Sequence, residues 1–251
     1  MEYSLISFDE YEKCQEIARR ILQDASQNNN RSTSKLRAPN IINTLNSEYS
    51  PNVALYYSTN QKIKSETECL TYWNQLFDMN NVYVHARKIA KVDEIFTDTV
   101  AGLTNFDGEY PTLFINAGNS LQRMLFTLLH EFTHMYQAEG SLDYVRALAM
   151  INADKMNGTS YPAELQPIED EANTVASLLM IPDATLKRDI HKLSFYQLKN
   201  KYQISSSALF NRLRSYFYYS TDFDEYESNQ AAQAFSINDH KLIHHVRKGL
   251  N

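Results

Sequence analysis

The stretch FTLLHEFTHMYQ, residues 126–137, sets two histidines and a glutamate inside a run that otherwise reads as a buried helix. Four residues advance an α-helix by about 40° beyond one revolution, so His130 and His134 project from one face and can grip one ion. Glu131 lies one position on, where a carboxylate can take a proton from a water activated by the ion and later hand it to a leaving amine. An HExxH pattern fixes only three residues, and chance produces it in roughly one chain in a hundred of this length. The neighbours decide the matter. Leu125, Phe126, Leu128 and Leu129 mark the helix as core, and a charged trio is costly there unless it has a task.

The limits of that helix are written in the sequence. Asn119 or Ser120 can cap its start, and Gly140 suits the residue just beyond its end near Ala138. A hydrolytic metal site needs a third protein ligand and one open position. The helix predicted between Pro167 and Pro182, with Ile168, Ala172, Val175 and Leu179 on its buried face, offers Glu169, Asp170 and Glu171. Helical phase turns Asp170 away. Glu169 lies over Ala172, Asn173 and Ala176, small side chains that allow a close helix approach, whereas Glu171 sits beside Val175 and Leu178; Glu169 is favoured. Asn173, one turn on, is placed to hydrogen-bond a ligand from behind. Two imidazoles and a carboxylate suit Zn²⁺ without excluding Mn²⁺ or Fe²⁺.

These elements resemble the ImmA/IrrE metallopeptidases. The resemblance is carried by GLTNFDGEYPTLFINAGNSLQRMLFTLLHEFTHMYQ and, after a spacer, PIEDEANTVASLLMIP. In that family a strand ending in Ile-Asn precedes a Phe-Thr-Leu-x-His-Glu-x-x-His helix, and a Glu-x-x-Ala-Asn helix ending in Leu-Leu-Met-Pro supplies the third ligand. Those positions fall here on Ile115 and Asn116, on Phe126 to His134, and on Glu169, Ala172 and Asn173. Three positions depart: Thr133 replaces a Gly, Val175 replaces a Phe, and Ile181 is inserted before Pro182. None removes a ligand or the base. The likeness spans about Val82 to Tyr216.

The resemblance implies a zincin-like, helix-rich α+β fold with a small sheet, in which Leu113, Phe114, Ile115 and Asn116 form a strand lining the cleft. An exposed strand edge there would hold an extended substrate through backbone hydrogen bonds. It also implies a protein substrate, a helix-turn-helix transcriptional repressor of a mobile element or stress locus. The division expected along the chain is an N-terminal region of unknown role (1–80), the metallopeptidase core (81–183) and a C-terminal helical region (184–251).

The rest of the sequence is read more coarsely. A helix is expected over Phe8–Gln23, and the polar run QDASQNNNRSTSK after it reads as a loop that would make residues before about 36 an appendage. Val53–Tyr57, Val82–His85, Thr97–Leu103 and Thr112–Asn116 read as strands, and Glu66–Phe77 as a helix. Only six Gly and six Pro argue against a many-stranded barrel. Residues 193–216, LSFYQLKNKYQISSSALFNRLRSY, read as two helices joined near Gln203–Ser205, a helix-turn-helix-like pair in which Lys199, Lys201, Arg212 and Arg214 would face outward. A formal net charge of −6 argues against direct nucleic-acid binding. Cys14 and Cys69, without CxxC spacing, read as buried free thiols; with no signal-peptide pattern and no apolar run of bilayer length, a cytoplasmic protein with no membrane partner is expected. Tyr110, Tyr144 and Tyr161 are the tyrosines within plausible reach of the cleft as oxyanion donors. His240, His244 and His245 read as a solvated tail. The rival to a peptidase is a non-catalytic, metal-containing regulatory module that binds a repressor or DNA.

Overall fold

Six helices begin at a short polar side chain that accepts a backbone N–H of their own first turn: Ser7, Ser65, Ser120, Ser194, Ser205 and Asp224. The computed structural model describes residues 5–57, 65–77, 84–88, 100–157, 159–160, 162–239 and 243–244. In chain order these form α1 (Phe8–Asn28), α2 (Ala38–Tyr49), β1 (Asn52–Tyr57), α3 (Glu66–Leu76), β2 (Val84–Lys88), β3 (Gly102–Asn105) and β4 (Thr112–Asn116). There follow α4 (Leu121–Ala138), α5 (Leu142–Asn157), α6 (Gln166–Met180), α7 (Asp183–Ile190), α8 (Phe195–Tyr202), α9 (Ser206–Ser220) and α10 (Glu225–Ser236). The fold is helix-rich α+β, as expected.

Among the described residues the sheet has four strands in the order β2-β1-β4-β3. β1 pairs in parallel with both β2 and β4, and β3 runs antiparallel to β4 with Gly102 opposite Ile115 and Thr104 opposite Leu113. The strand expected over Thr112–Asn116 forms at those residues. Those expected at Val82–His85 and Thr97–Leu103 form slightly later, and their first residues lie outside the described ones. β4 has a neighbour on each side, so no free edge remains along Leu113–Asn116 for an extended peptide; Leu113 and Ile115 are fully buried. The edge position expected for that strand is corrected to an interior one, because β3 covers it.

Gly102 permits this arrangement. A Cβ there would stand 2.5 Å from Thr127 Cγ2 of α4 and 3.0 Å from the carbonyl oxygen of Phe114, so only a bare backbone lets β3 lie this close to α4. At the other end of α4, Gly140 adopts φ of 71°.

α1 continues five residues past the predicted end at Gln23 and is no appendage. Cys14, Ile17, Ile21 and Leu22 join the same apolar cluster as Leu125, Phe132, Val175 and Leu179, and α1 packs along α6. The apolar stripe outweighs the polar Asn/Ser composition of the segment after it. The pair α8–α9 forms with its turn at Gln203, which is left-handed with φ of 51°. Its basic face departs from expectation at Arg212, whereas Lys201 is exposed and Lys199 and Arg214 are half-buried. Arg212 is 1% exposed and donates from Nε to the Ile181 carbonyl and from Nη2 to Asp183, while Lys201 pairs with Asp189. The partly buried Asp183 on α7 draws Arg212 inward, while Lys201 stays exposed as it meets Asp189. Cys14 and Cys69 are free and buried, and burial pushes their thiols up to about 12 and about 11. Among the described residues no helix is long and apolar enough to cross a membrane.

Candidate metal centre

α4 and α6 pack against each other and bring three sequence-distant groups to one point. His130, His134 and Glu169 are 7%, 1% and 6% exposed, and their candidate ligand atoms all lie within 4.8 Å of one another. His130 Nε2 is 3.0 Å from His134 Nε2. The Glu169 carboxylate spans the pair, with Oε2 3.5 Å from His130 Nε2 and Oε1 3.4 Å from His134 Nε2. A tetrahedral centre with bonds of about 2.0–2.1 Å sets neighbouring donors about 3.3–3.4 Å apart, since the edge of a tetrahedron is about 1.6 times its centre-to-vertex length. The three separations fall around that value. The donor set fits a metal ion.

The surroundings fix how His134 presents itself. Glu171 accepts at Oε2 from Lys13 Nζ (2.7 Å) and at Oε1 from Gln137 Nε2 (2.6 Å). With its amide nitrogen committed to a carboxylate, Gln137 turns Oε1 toward Tyr144, whose hydroxyl donates to it. The same hydroxyl oxygen is 2.8 Å from His134 Nδ1 and therefore accepts from an Nδ1–H. His134 Nε2 is left as an unprotonated lone pair aimed at Glu169 and His130, the tautomer a metal ligand requires. Burial pushes the His134 pKa down, which keeps the ring neutral. Glu169 is opposed by burial, yet His130 and Lys155, whose Nζ is 2.8 Å from Oε1, hold its carboxyl below the usual range.

Glu131 is 3% exposed and faces β3, where Thr104 Oγ1 donates to its Oε2 at 2.8 Å. Asn152 of α5 donates to the Thr104 carbonyl at 2.7 Å and so fastens that strand from outside. Burial raises the Glu131 pKa, with Lys155 opposing the rise; such a carboxylate is a stronger base than an exposed one.

Of the residues singled out from sequence, His130, Glu131, His134 and Glu169 are brought together, and Glu171 stands behind His134 at the end of the hydrogen-bonded relay. Asp170 bonds Gln166. Asn173 is half-buried in the wall of a cleft shared with Phe126, Thr174 and Asn211. His130 Nδ1 is buried without a hydrogen-bond partner among the described residues. Phe114 is half-buried, and Asn116, 1% exposed, accepts from the Gly118 N–H and shapes the turn into α4. Tyr110 is half exposed, Tyr144 is committed to His134, and Tyr161, His240 and His245 lie outside the described residues. Sequence reasoning missed Thr104, Gln137 and Lys155. Gln137 sits on the HExxH face at i+3 from His134, a spacing that could have been used; the other two come from separate elements and carried no local signal.

No curated protein matches the chain. A family model does, that of Peptidase_M78, described as the IrrE N-terminal-like domain, over residues 81–214. The matched segment contains all four residues of the centre and more than half of the chain's 251 residues. The chain therefore belongs to the Peptidase_M78, IrrE N-terminal-like, family.

Proposed function

We propose that the protein is a zinc-dependent endopeptidase whose substrate is a protein, and, following the resemblance noted in the sequence, a helix-turn-helix transcriptional repressor met in the cytoplasm. The observation that carries the reading is the convergence of two imidazole Nε2 atoms and one carboxylate at tetrahedral spacing, with a buried carboxylate beside them. His130, His134 and Glu169 would hold the ion, which when bound polarises a carbonyl and makes water acidic enough to ionise near neutral pH.

The chain's own residues do the rest. Glu131, ionised and held by Thr104, takes the proton of the attacking water and delivers it to the nitrogen of the departing peptide. Tyr144 keeps His134 in the ligating tautomer, and Asn152 keeps the strand that supports Glu131 in place. Residues 81–183 carry this machinery, while 1–80 and 184–251 supply packing and, in this reading, the surfaces that select a substrate.

The test measures zinc content and cleavage of a repressor encoded beside this protein, for wild type and Glu131→Gln. Wild type should cleave, and E131Q should retain zinc while losing on the order of a thousandfold in rate. Equal repressor loss in both proteins, each with its zinc, would overturn the catalytic role and favour a binding module instead.

A further inference from the structure

Helix α5, 16 residues long, lies in the interval between His134 and Glu169 and turns one face to the site. Tyr144, Leu148, Ile151, Asn152 and Lys155 recur at i, i+4, i+7, i+8 and i+11, the stripe of a single helix side. Leu148 and Ile151 are buried, whereas Leu142, Met150 and Met156 on other sides are exposed by more than half. Each polar residue of the stripe addresses a different member of the centre. Tyr144 reaches His134 Nδ1, Asn152 reaches the carbonyl of the residue that holds Glu131, and Lys155 reaches Glu169.

The first two act from behind, on atoms that point away from the convergence of ligands. Lys155 differs. Its Nζ lies 2.8 Å from Glu169 Oε1, the oxygen that also faces His134 Nε2 at 3.4 Å, so the ammonium stands on the ligating side. Its side chain is 22% exposed while those of His130, His134 and Glu169 are 9%, 1% and 8% exposed, which puts it toward solvent, where a substrate must enter. The negative charge that develops on a carbonyl oxygen under attack is stabilised by a positioned donor or cation beside it. The nearby hydroxyls are already committed: Tyr144 donates to Gln137, Tyr56 to the Val100 carbonyl, and Thr104 to Glu131. Among the described residues Lys155 is the cation in contact with the ligand cluster.

We propose that Lys155 is a substrate-contacting residue whose ammonium donates a hydrogen bond to the scissile carbonyl oxygen and stabilises the negative charge that forms there. This rests on the peptidase reading. No proton is transferred from Lys155; an ammonium has three donors, so one stays on Glu169 while another meets the substrate. The role uses the fixed positive charge.

Two readouts on zinc-loaded wild type, Lys155→Met, Lys155→Gln and Lys155→Arg separate contact with substrate from mere support of Glu169. One is the zinc dissociation constant of each metal-free chain, by competition with a chelating dye. The other is binding of an N-phosphoryl dipeptide, a tetrahedral anionic probe, against the neutral dipeptide amide with the same side chains. We expect K155M and K155Q to bind zinc within about tenfold of wild type, to lose on the order of 100-fold in affinity for the phosphoryl probe, and to bind the amide as wild type does. K155R should recover part of the loss. Unchanged phosphoryl binding in the folded variant of the two, or a zinc loss beyond tenfold that accounts for the weaker binding, would overturn the proposal. A wild-type chain that takes up no zinc would remove the peptidase reading and this inference with it, an outcome distinct from zinc-loaded wild type and K155M binding the phosphoryl probe alike.

Discussion

Among the described residues, the charge buried around Arg212 and the charge buried between α4 and α6 are arranged to opposite plans. Around Arg212 a cation faces acceptors: Nε meets the Ile181 carbonyl, Nη2 meets Asp183, and Asp183 also accepts from Gln15 at 2.6 Å and Tyr11 at 3.1 Å, while Nη1 has no hydrogen-bond partner among the described residues. The partners come from α1, α7 and α9, so the cluster ties α1 to two helices far along the chain. At the centre on α4 and α6, two ring nitrogens face each other at 3.0 Å with a carboxylate across both. Burial of charge is common to the two places and so does not separate support from chemistry. Convergence of electron-pair donors on one point does.

The sharpest way to break this contrast is Asp183→Ala. It leaves the Arg212 guanidinium buried without its carboxylate and should cost about 3 kcal/mol or more in unfolding free energy, read from urea denaturation, while zinc uptake of the protein that remains folded is unchanged. A D183A chain as stable as wild type would mean the cluster is not structural. Tyr144→Phe probes the other side of the contrast with a smaller effect. Zinc affinity should fall about tenfold, because His134 loses the acceptor that fixes its tautomer, with little change in melting temperature. Undiminished affinity would show that the relay to Gln137 does not matter.

The mildest test uses acid. Burial alone would raise the carboxyls of Asp183 and Asp189, but Arg212 overrides it at the first and Arg188, Lys201 and Tyr202 at the second, so Asp183 lies below its usual value and Asp189 at about 2. A carboxylate whose folded pKa is depressed contributes stability that is present above the unfolded value, about 4, and lost as pH falls through the folded one. Urea midpoints should therefore drop between about pH 4 and pH 2, and Asp189→Asn should lessen that drop. An equal drop in D189N would assign the acid sensitivity elsewhere.

How much of this was legible in the sequence follows from how local each signal is. The helix of residues 121–138 announced itself through its cap at Ser120, its apolar face and Gly140, and the HExxH spacing placed both imidazoles on one side. The choice of Glu169 over Glu171 rested on small neighbours, and in the structure Glu169 joins the cluster while Glu171 reaches Gln137 and Lys13. What the sequence withheld depends on pairing between distant segments. The interior position of β4 follows from β3 folding back over it, which nothing in TLFIN foretells. The inward turn of Arg212 follows from Asp183, 29 residues earlier, and an outward basic face was a fair reading of α9 alone. Lys155 looks like any surface lysine until α6 brings Glu169 beside it.

The central claim is that His130, His134 and Glu169 form one metal site. Its most direct test is the zinc content of purified wild type, Glu169→Ala and Glu171→Ala after exposure to equal zinc and dialysis. The account predicts one zinc per wild-type chain, near-complete loss in E169A, and retention in E171A with affinity weakened only through the relay. Retention of zinc in E169A together with its loss in E171A would contradict the assignment.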